Sequence, residues 1–172
     1  MKLRTKAQAM ACAIALTCSL AAVATPGSST GPGARPPESR LLGSWSLDTS
    51  RMPVPPGQRP TSVRFTFADA GEGKWTTHVD IVYAPGEEVH SVGTAALDGT
   101  LSVVRDSPEA DSAAVKQPSP DVLVMALQKE GVLVSTRIYA VMPDGRTLVE
   151  TAVYPGHAGT PVMKTNYFTR VR

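Results

Sequence analysis

Apolar and polar residues alternate along most of this chain with a period of two. Val63, Phe65 and Phe67 alternate with Arg64 and Thr66. Trp75, Thr77, Val79, Ile81 and Tyr83 alternate with Lys74, Thr76, His78 and Asp80. That period belongs to half-buried β-strands, whose successive side chains point to opposite faces. Leu123, Met125 and Leu127 continue the pattern, although Val122 and Val124 make that segment apolar on both sides. Val132, Val134, Thr136 and Ile138 oppose Leu133, Ser135, Arg137 and Tyr139; Val149, Thr151 and Val153 oppose Leu148, Glu150 and Ala152. Turn chemistry separates the runs, at Glu72-Gly73, Asp98-Gly99, Glu130-Gly131 and Pro143-Asp144-Gly145. Glycine tolerates the positive φ of tight hairpins and proline presets φ for the turn.

The pattern predicts nine or ten strands, at about 43–48, 61–68, 74–83, 89–97, 101–105, 112–116, 121–129, 131–142, 147–155 and 162–171. No window carries a convincing amphipathic helix. Glu109 to Lys116 has room for one turn, but Pro108, Pro118 and Pro120 bracket it. Short antiparallel strands joined by hairpins form a meander, and closing into a barrel protects its edges fully. The expected fold is all-β, a single antiparallel meander barrel of 8–10 strands, with a β-sandwich as the competing architecture.

The first 24 residues read as a secretory signal peptide. Lys2, Arg4 and Lys6 precede an apolar stretch from Ala9 to Val23, and Ala22-Val23-Ala24 supplies the small residues of a cleavage site. The expected cut follows Ala24 and the expected compartment is periplasmic or secreted. The apolar run is too short to span a membrane, so no transmembrane segment is expected in the mature chain. Residues 25–40, with Pro26, Pro32, Pro36 and Pro37 among Gly, Ser and Thr, read as a disordered spacer. The barrel domain then occupies residues 41–172.

Removing the leader changes the chemistry available. Both cysteines, Cys12 and Cys18, lie within it, so the mature chain has no disulfide and no thiolate. Three of the 17 basic residues leave as well, so 14 remain against 15 acidic ones. The precursor's pI of about 8.6 therefore implies no basic face, and nucleic acid is not an expected partner.

Leu41-Leu42-Gly43-Ser44-Trp45-Ser46-Leu47 places a Gly-x-Trp triplet at the first strand, and a basic residue, Arg170 or Arg172, ends the last. In this the chain resembles lipocalins and related calycin barrels. The resemblance implies that Trp45, following Gly43, packs across a closed barrel end with an arginine over its ring, a cation–π contact. Further stretches resemble small exported lipocalin-like proteins of bacteria with no assigned activity. They are Gly43 to Ser50, Leu97-Asp98-Gly99-Thr100, Pro108-Glu109-Ala110-Asp111 and Met142 to Leu148.

Phe65, Phe67, Trp75, Ile81, Tyr83 and Tyr139 are the candidate pocket residues. Gly93, Ala95, Ala126 and Ala140 are small enough to leave room beside them. Aromatic residues are 5% of the chain, so the expected pocket is mainly aliphatic with one or two polar anchors, at the end away from Trp45. His78, His90 and His157 are scattered. His78 and Asp80 share a face, but no short-range metal-ligand spacing appears, and no metal or cofactor is expected. No Gly-x-Ser-x-Gly elbow and no phosphate-binding glycine loop occur. The function read from these residues is non-enzymatic binding of a small, mostly apolar molecule in the cell envelope. Two alternatives stand beside it: an envelope interaction module with a filled barrel, and a small-barrel enzyme using its titratable side chains.

Overall fold

The protein's computed structural model describes residues 38–172; the expected leader, and the expected spacer up to residue 37, lie outside the described residues. The first five strands are β1 (Gly43–Leu47), β2 (Ser62–Gly71), β3 (Lys74–Ala84), β4 (Glu87–Ala96) and β5 (Asp98–Arg105). The second five are β6 (Ser112–Ser119), β7 (Val122–Lys129), β8 (Val132–Val141), β9 (Thr147–Pro155) and β10 (Pro161–Arg170). Each strand pairs antiparallel with its sequence neighbours, and β1 pairs with β10, so the meander closes into one ring. The architecture is the expected meander barrel, with ten strands. Closure leaves no unpaired edge strand.

The ring has two unlike ends. One carries the turns β2–β3, β4–β5, β6–β7 and β8–β9, together with the segment that leads into β1. It is sealed by Trp45, which is wholly buried. The Trp45 indole Nε1 donates to the Leu41 carbonyl at 2.8 Å. The Arg170 guanidinium lies 4.1 Å above the ring. Arg170 also donates to the carbonyls of Leu42 at 2.8 Å and Gly145 at 3.0 Å, and to that of Arg40. The Pro143-Asp144-Gly145 turn thus does more than reverse the chain: it presents a carbonyl to the sealing arginine. Gly43 has φ +113°, and a Cβ there would meet the Arg170 side chain at 3.0 Å. Both facts explain the glycine. Arg172 lies exposed beyond the last strand. Of the two arginines considered for this role, Arg170 is the one over the indole.

Ser39 and Arg40 belong to the expected spacer but are tied to the barrel. Ser39 Oγ donates to the Pro120 carbonyl, and Arg40 Nε donates to Asp121 at 2.8 Å in the β6–β7 turn.

The sheet registers decide which side chains face inward. On β2 and β3 the apolar row does so, as the alternation suggests. On β8 and β9 the more polar row turns inward instead. Ser135 and Tyr139 on β8 are buried, as are Leu148, Glu150 and Ala152 on β9, while Ile138 faces solvent. The ladder is also uneven. Between β4 and β5 the registered pairs are only Val92 with Arg105 and Gly93 with Val104.

Removing the Trp45 side chain should cost about 3–5 kcal/mol, the range for truncating a buried large aromatic. Arg170→Ala should cost roughly 1–3 kcal/mol, through the cation–π contact and the carbonyls it leaves behind. Arg172→Ala should leave the urea midpoint unchanged. Urea unfolding of the three variants checks the order.

Candidate functional site

Ten strands enclose a wider cross-section than their inward side chains fill. The result is an internal cavity of about 380 Å³. It occupies the half of the barrel away from Trp45. The β1–β2 connection, through Met52, Val54 and Pro60, and the β5–β6 loop from Ser107 to Ala110 roof it.

Four of the six candidate pocket residues line this space: Phe65, Ile81, Tyr83 and Tyr139. Phe67 and Trp75 do not. They pack with each other at 6.4 Å between ring centroids, beside Trp45 in the sealed half, and Phe67 also meets Tyr139 at 5.7 Å. Their strand positions lie further toward the closed end, and the inward row there is consumed by the plug. Gly93 and Ala95 border the cavity, whereas Ala126 and Ala140 do not. Strand register puts both of the latter on the outer row: Ala126 faces Thr136, and Ala140 faces Val149.

One wall is aliphatic. Val63, Val79, Val89, Val115, Met125 and Leu127 supply most of it. The other is a cluster of polar side chains, and it is built by the inverted polarity of β8 and β9. Tyr139 and Glu150 face each other directly across those strands. Glu150 is 1% exposed and accepts from three donors: Arg137 at 3.0 Å, Tyr139 at 2.9 Å and Asn166 at 2.6 Å. Glu109 reaches in from the β5–β6 loop and pairs with the outer nitrogen of Arg137. The Tyr154 hydroxyl lies 3.4 Å from that nitrogen. Arg137 Nε is buried and has no protein acceptor.

The energetics explain why this cluster survives burial. A lone buried charge costs several kcal/mol, but a fully hydrogen-bonded pair offsets much of that cost. Burial works against the Arg137 charge, yet Tyr139, Glu150 and Glu109 outweigh it and raise its pKa above the ordinary value. Burial, then the Glu150 carboxylate, pushes the Tyr139 phenol well above its usual range. Tyr139 therefore keeps its proton and donates it. The sequence signal for the cluster is faint. Arg137 shares its row with the pocket candidate Tyr139, but nothing in the sequence pairs that row with Glu150 until register sets Tyr139 opposite it.

The histidines lie outside this cavity. His90 sits on the outer surface, with Nδ1 2.7 Å from Asp80 and Nε2 3.2 Å from Glu88. Asp80 therefore meets His90 across the β3–β4 ladder and not His78, its neighbour along the strand. His157 stands in the exposed β9–β10 turn. Among the described residues, no group of three or more His, Cys, Asp or Glu side chains could hold a metal ion. A wider hollow runs over the β4–β5 seam past His90 and Lys129, but it is open to solvent and encloses nothing.

The barrel has a solved counterpart. A point variant of the fluorescent protein UnaG matches it with a TM-score of 0.52, over 77% of this chain and 97% of that one. The fold is of the calycin type. Identity is 14%, so the likeness is one of architecture: the ten-strand form found in fatty-acid-binding proteins. No protein-family model and no curated protein matches the sequence.

Glu150→Ala leaves Tyr139 and Asn166 without their acceptor and Arg137 with Glu109 alone, and should cost about 3–5 kcal/mol in urea unfolding, whereas the double change Arg137→Met with Glu150→Leu should recover most of it. Glu109→Ala, at a partly exposed carboxylate, should cost about 1 kcal/mol or less. For His90, bonds to Asp80 and then Glu88 favour the imidazolium and raise its pKa above the ordinary 6.5. Its stabilising contribution is therefore full below the unfolded pKa and is lost as pH rises through the folded one. An NMR titration of the His90 ring should show a midpoint above that of a free imidazole, and Asp80→Asn should lower it.

Proposed function

We propose that the protein binds a small, mostly apolar molecule in this cavity, without catalysis and outside the cytoplasm. The observation that carries the reading is a partly open internal space of about 380 Å³ with one aliphatic wall and one polar wall. That volume falls within the range of small-molecule sites, and the lining has their usual make-up: apolar surface with a few convergent polar groups. The polar wall, to which Arg137, Tyr139, Glu150 and Asn166 contribute, suits a ligand that carries a polar group at one end. The resemblance to calycin barrels agrees with this reading, and the leader-like first 24 residues support an envelope or secreted location.

A buried cluster with displaced pKa values is also what an enzyme needs. Here, however, Glu150 accepts three hydrogen bonds, Arg137 is paired twice and Tyr139 holds its proton more tightly than usual. None of them is an available base or nucleophile. The cluster suits an anchor better than a reaction centre.

Titration with anilinonaphthalene sulfonate should give saturable fluorescence and raise the melting temperature. Ala113→Phe projects a ring into the open space and should lower probe affinity by about tenfold or more while keeping the melting temperature. Probe binding indifferent to Ala113→Phe would sink the reading. Native mass spectrometry of the protein from its own cells should report a co-purifying small molecule and a chain starting at Thr25.

A further inference from the structure

We infer that the polar end of the bound molecule is a protonated amine, met by the Glu109 carboxylate, and that the cavity turns away a carboxylate end. The inference deepens the cavity reading and rests on it. What it adds is a sign of charge, and the cavity wall supplies that sign.

Three side chains that line the cavity carry formal charge: Arg137, Glu109 and Glu150. Among the described residues, no lysine or histidine lines it. The wall therefore sets one positive charge against two negative ones. Its other polar groups leave that balance alone. Asn166 is neutral, and burial pushes the Tyr139 and Tyr154 phenols upward, so both keep their protons.

The arginine is not free for an anion. Its Nη1 donates to Glu150 at 3.0 Å, and its Nη2 donates to both oxygens of Glu109 and lies 3.4 Å from the Tyr154 hydroxyl. Its Nε is buried within the wall and does not reach the cavity surface. An incoming carboxylate would have to take the guanidinium from one of its two partners. Glu150 is 1% exposed, and a buried charge that loses its counter-ion is costly. Displacing Glu109 instead would leave two carboxylates side by side where water screens them poorly.

Glu109 has capacity to spare. A carboxylate offers about four acceptor positions. Glu109 Oε1 takes Arg137 and Ser135, the latter at 3.3 Å, but Oε2 takes Arg137 alone. Its side chain is 39% exposed, so one side stays open beside the cavity. An ammonium there would bring the wall to neutrality and gain a charge-assisted hydrogen bond. Glu109 belongs to the β5–β6 loop that roofs the space. The amine would therefore sit toward the mouth, with the apolar body against the aliphatic wall.

One further cation stands near. The Lys164 ammonium lies 5.3 Å from the centre of the Tyr154 ring. Lys164 is exposed, does not line the cavity and forms no ion pair with either carboxylate. Solvent screens it, so it does not offset the charge inside.

Competition against an uncharged dye tests the inference. N-phenylnaphthylamine serves as the reporter, because a sulfonate would itself answer to the charge of the wall. Octylamine and octanoate carry the same chain length, and at neutral pH the first is a cation and the second an anion. Octylamine should displace the dye at about tenfold lower concentration than octanoate, or lower still. Glu109→Gln should narrow that gap to about threefold or less, since it removes the surplus negative charge. Glu87→Gln, at an exposed carboxylate away from the cavity, changes the net charge equally and should leave the gap as it is. Octanoate competing as well as octylamine overturns the inference while the cavity reading stands. So does a gap that ignores Glu109→Gln, or one that Glu87→Gln narrows equally. A dye that does not bind saturably overturns the cavity reading, and this inference falls with it.

Discussion

Arg170 lying across the Trp45 indole is what allows a five-residue strand to hold a ten-strand ring shut. β1 is the shortest strand, and it must pair on both sides. Its own ladder is too short to fix its position firmly. The guanidinium adds ties that do not depend on ladder length: to the indole face, to the chain entering β1 and to the β8–β9 turn. One side chain so joins three separate stretches of sequence at one end. With that end sealed by Trp45, Phe67 and Trp75, the space the ring encloses is displaced toward the other.

The displaced space has an uncommon wall. Three of the groups in it, Arg137, Glu150 and Glu109, carry formal charge, and they answer one another before any ligand arrives. Glu150 is saturated by donors from β8 and β10, which fixes the register of three adjacent strands. Glu109 comes from a loop, so its bond to Arg137 also holds that loop over the cavity. The same residues serve strand alignment and the polarity of the lumen. Hydrogen-bond geometry demands exact partners, whereas aliphatic packing tolerates slippage.

The fold was legible in the alternation of residues because half-buried strands on β2, β3 and β7 obey the simple rule. All ten strands fall close to their predicted positions. The sealing role of Trp45 and one terminal arginine was also within reach, since glycine, tryptophan and arginine stand at the ends of the first and last strands. The polar wall was not. On β8, Val132, Thr136 and Ile138 form the more apolar row, yet it is the row of Ser135, Arg137 and Tyr139 that turns inward. Tyr139, named as a pocket residue, pointed that row inward, but periodicity does not report that its charged member finds partners on the next strand and in a loop. The same blindness to cross-strand neighbours hid the pairing of His90 with Asp80. For Phe67 and Trp75 the facing was right but the depth along the axis was not visible.

The sparse pairing between β4 and β5 gives the barrel a mechanical character. The longest ladders, β2–β3, β3–β4 and β9–β10, carry nine or ten registered pairs each, and the two beside β1 carry three and four. Between β4 and β5 two registered pairs, at Val92 and Gly93, bridge the strands. Strain applied from within concentrates along that line, much as pressure opens a garment at its loosest stitch. Gly93 stands on that line, where a Cβ would meet the Val104 side chain at 3.4 Å and the Val103 carbonyl at 3.5 Å, so its bare backbone is what lets β4 and β5 approach each other there.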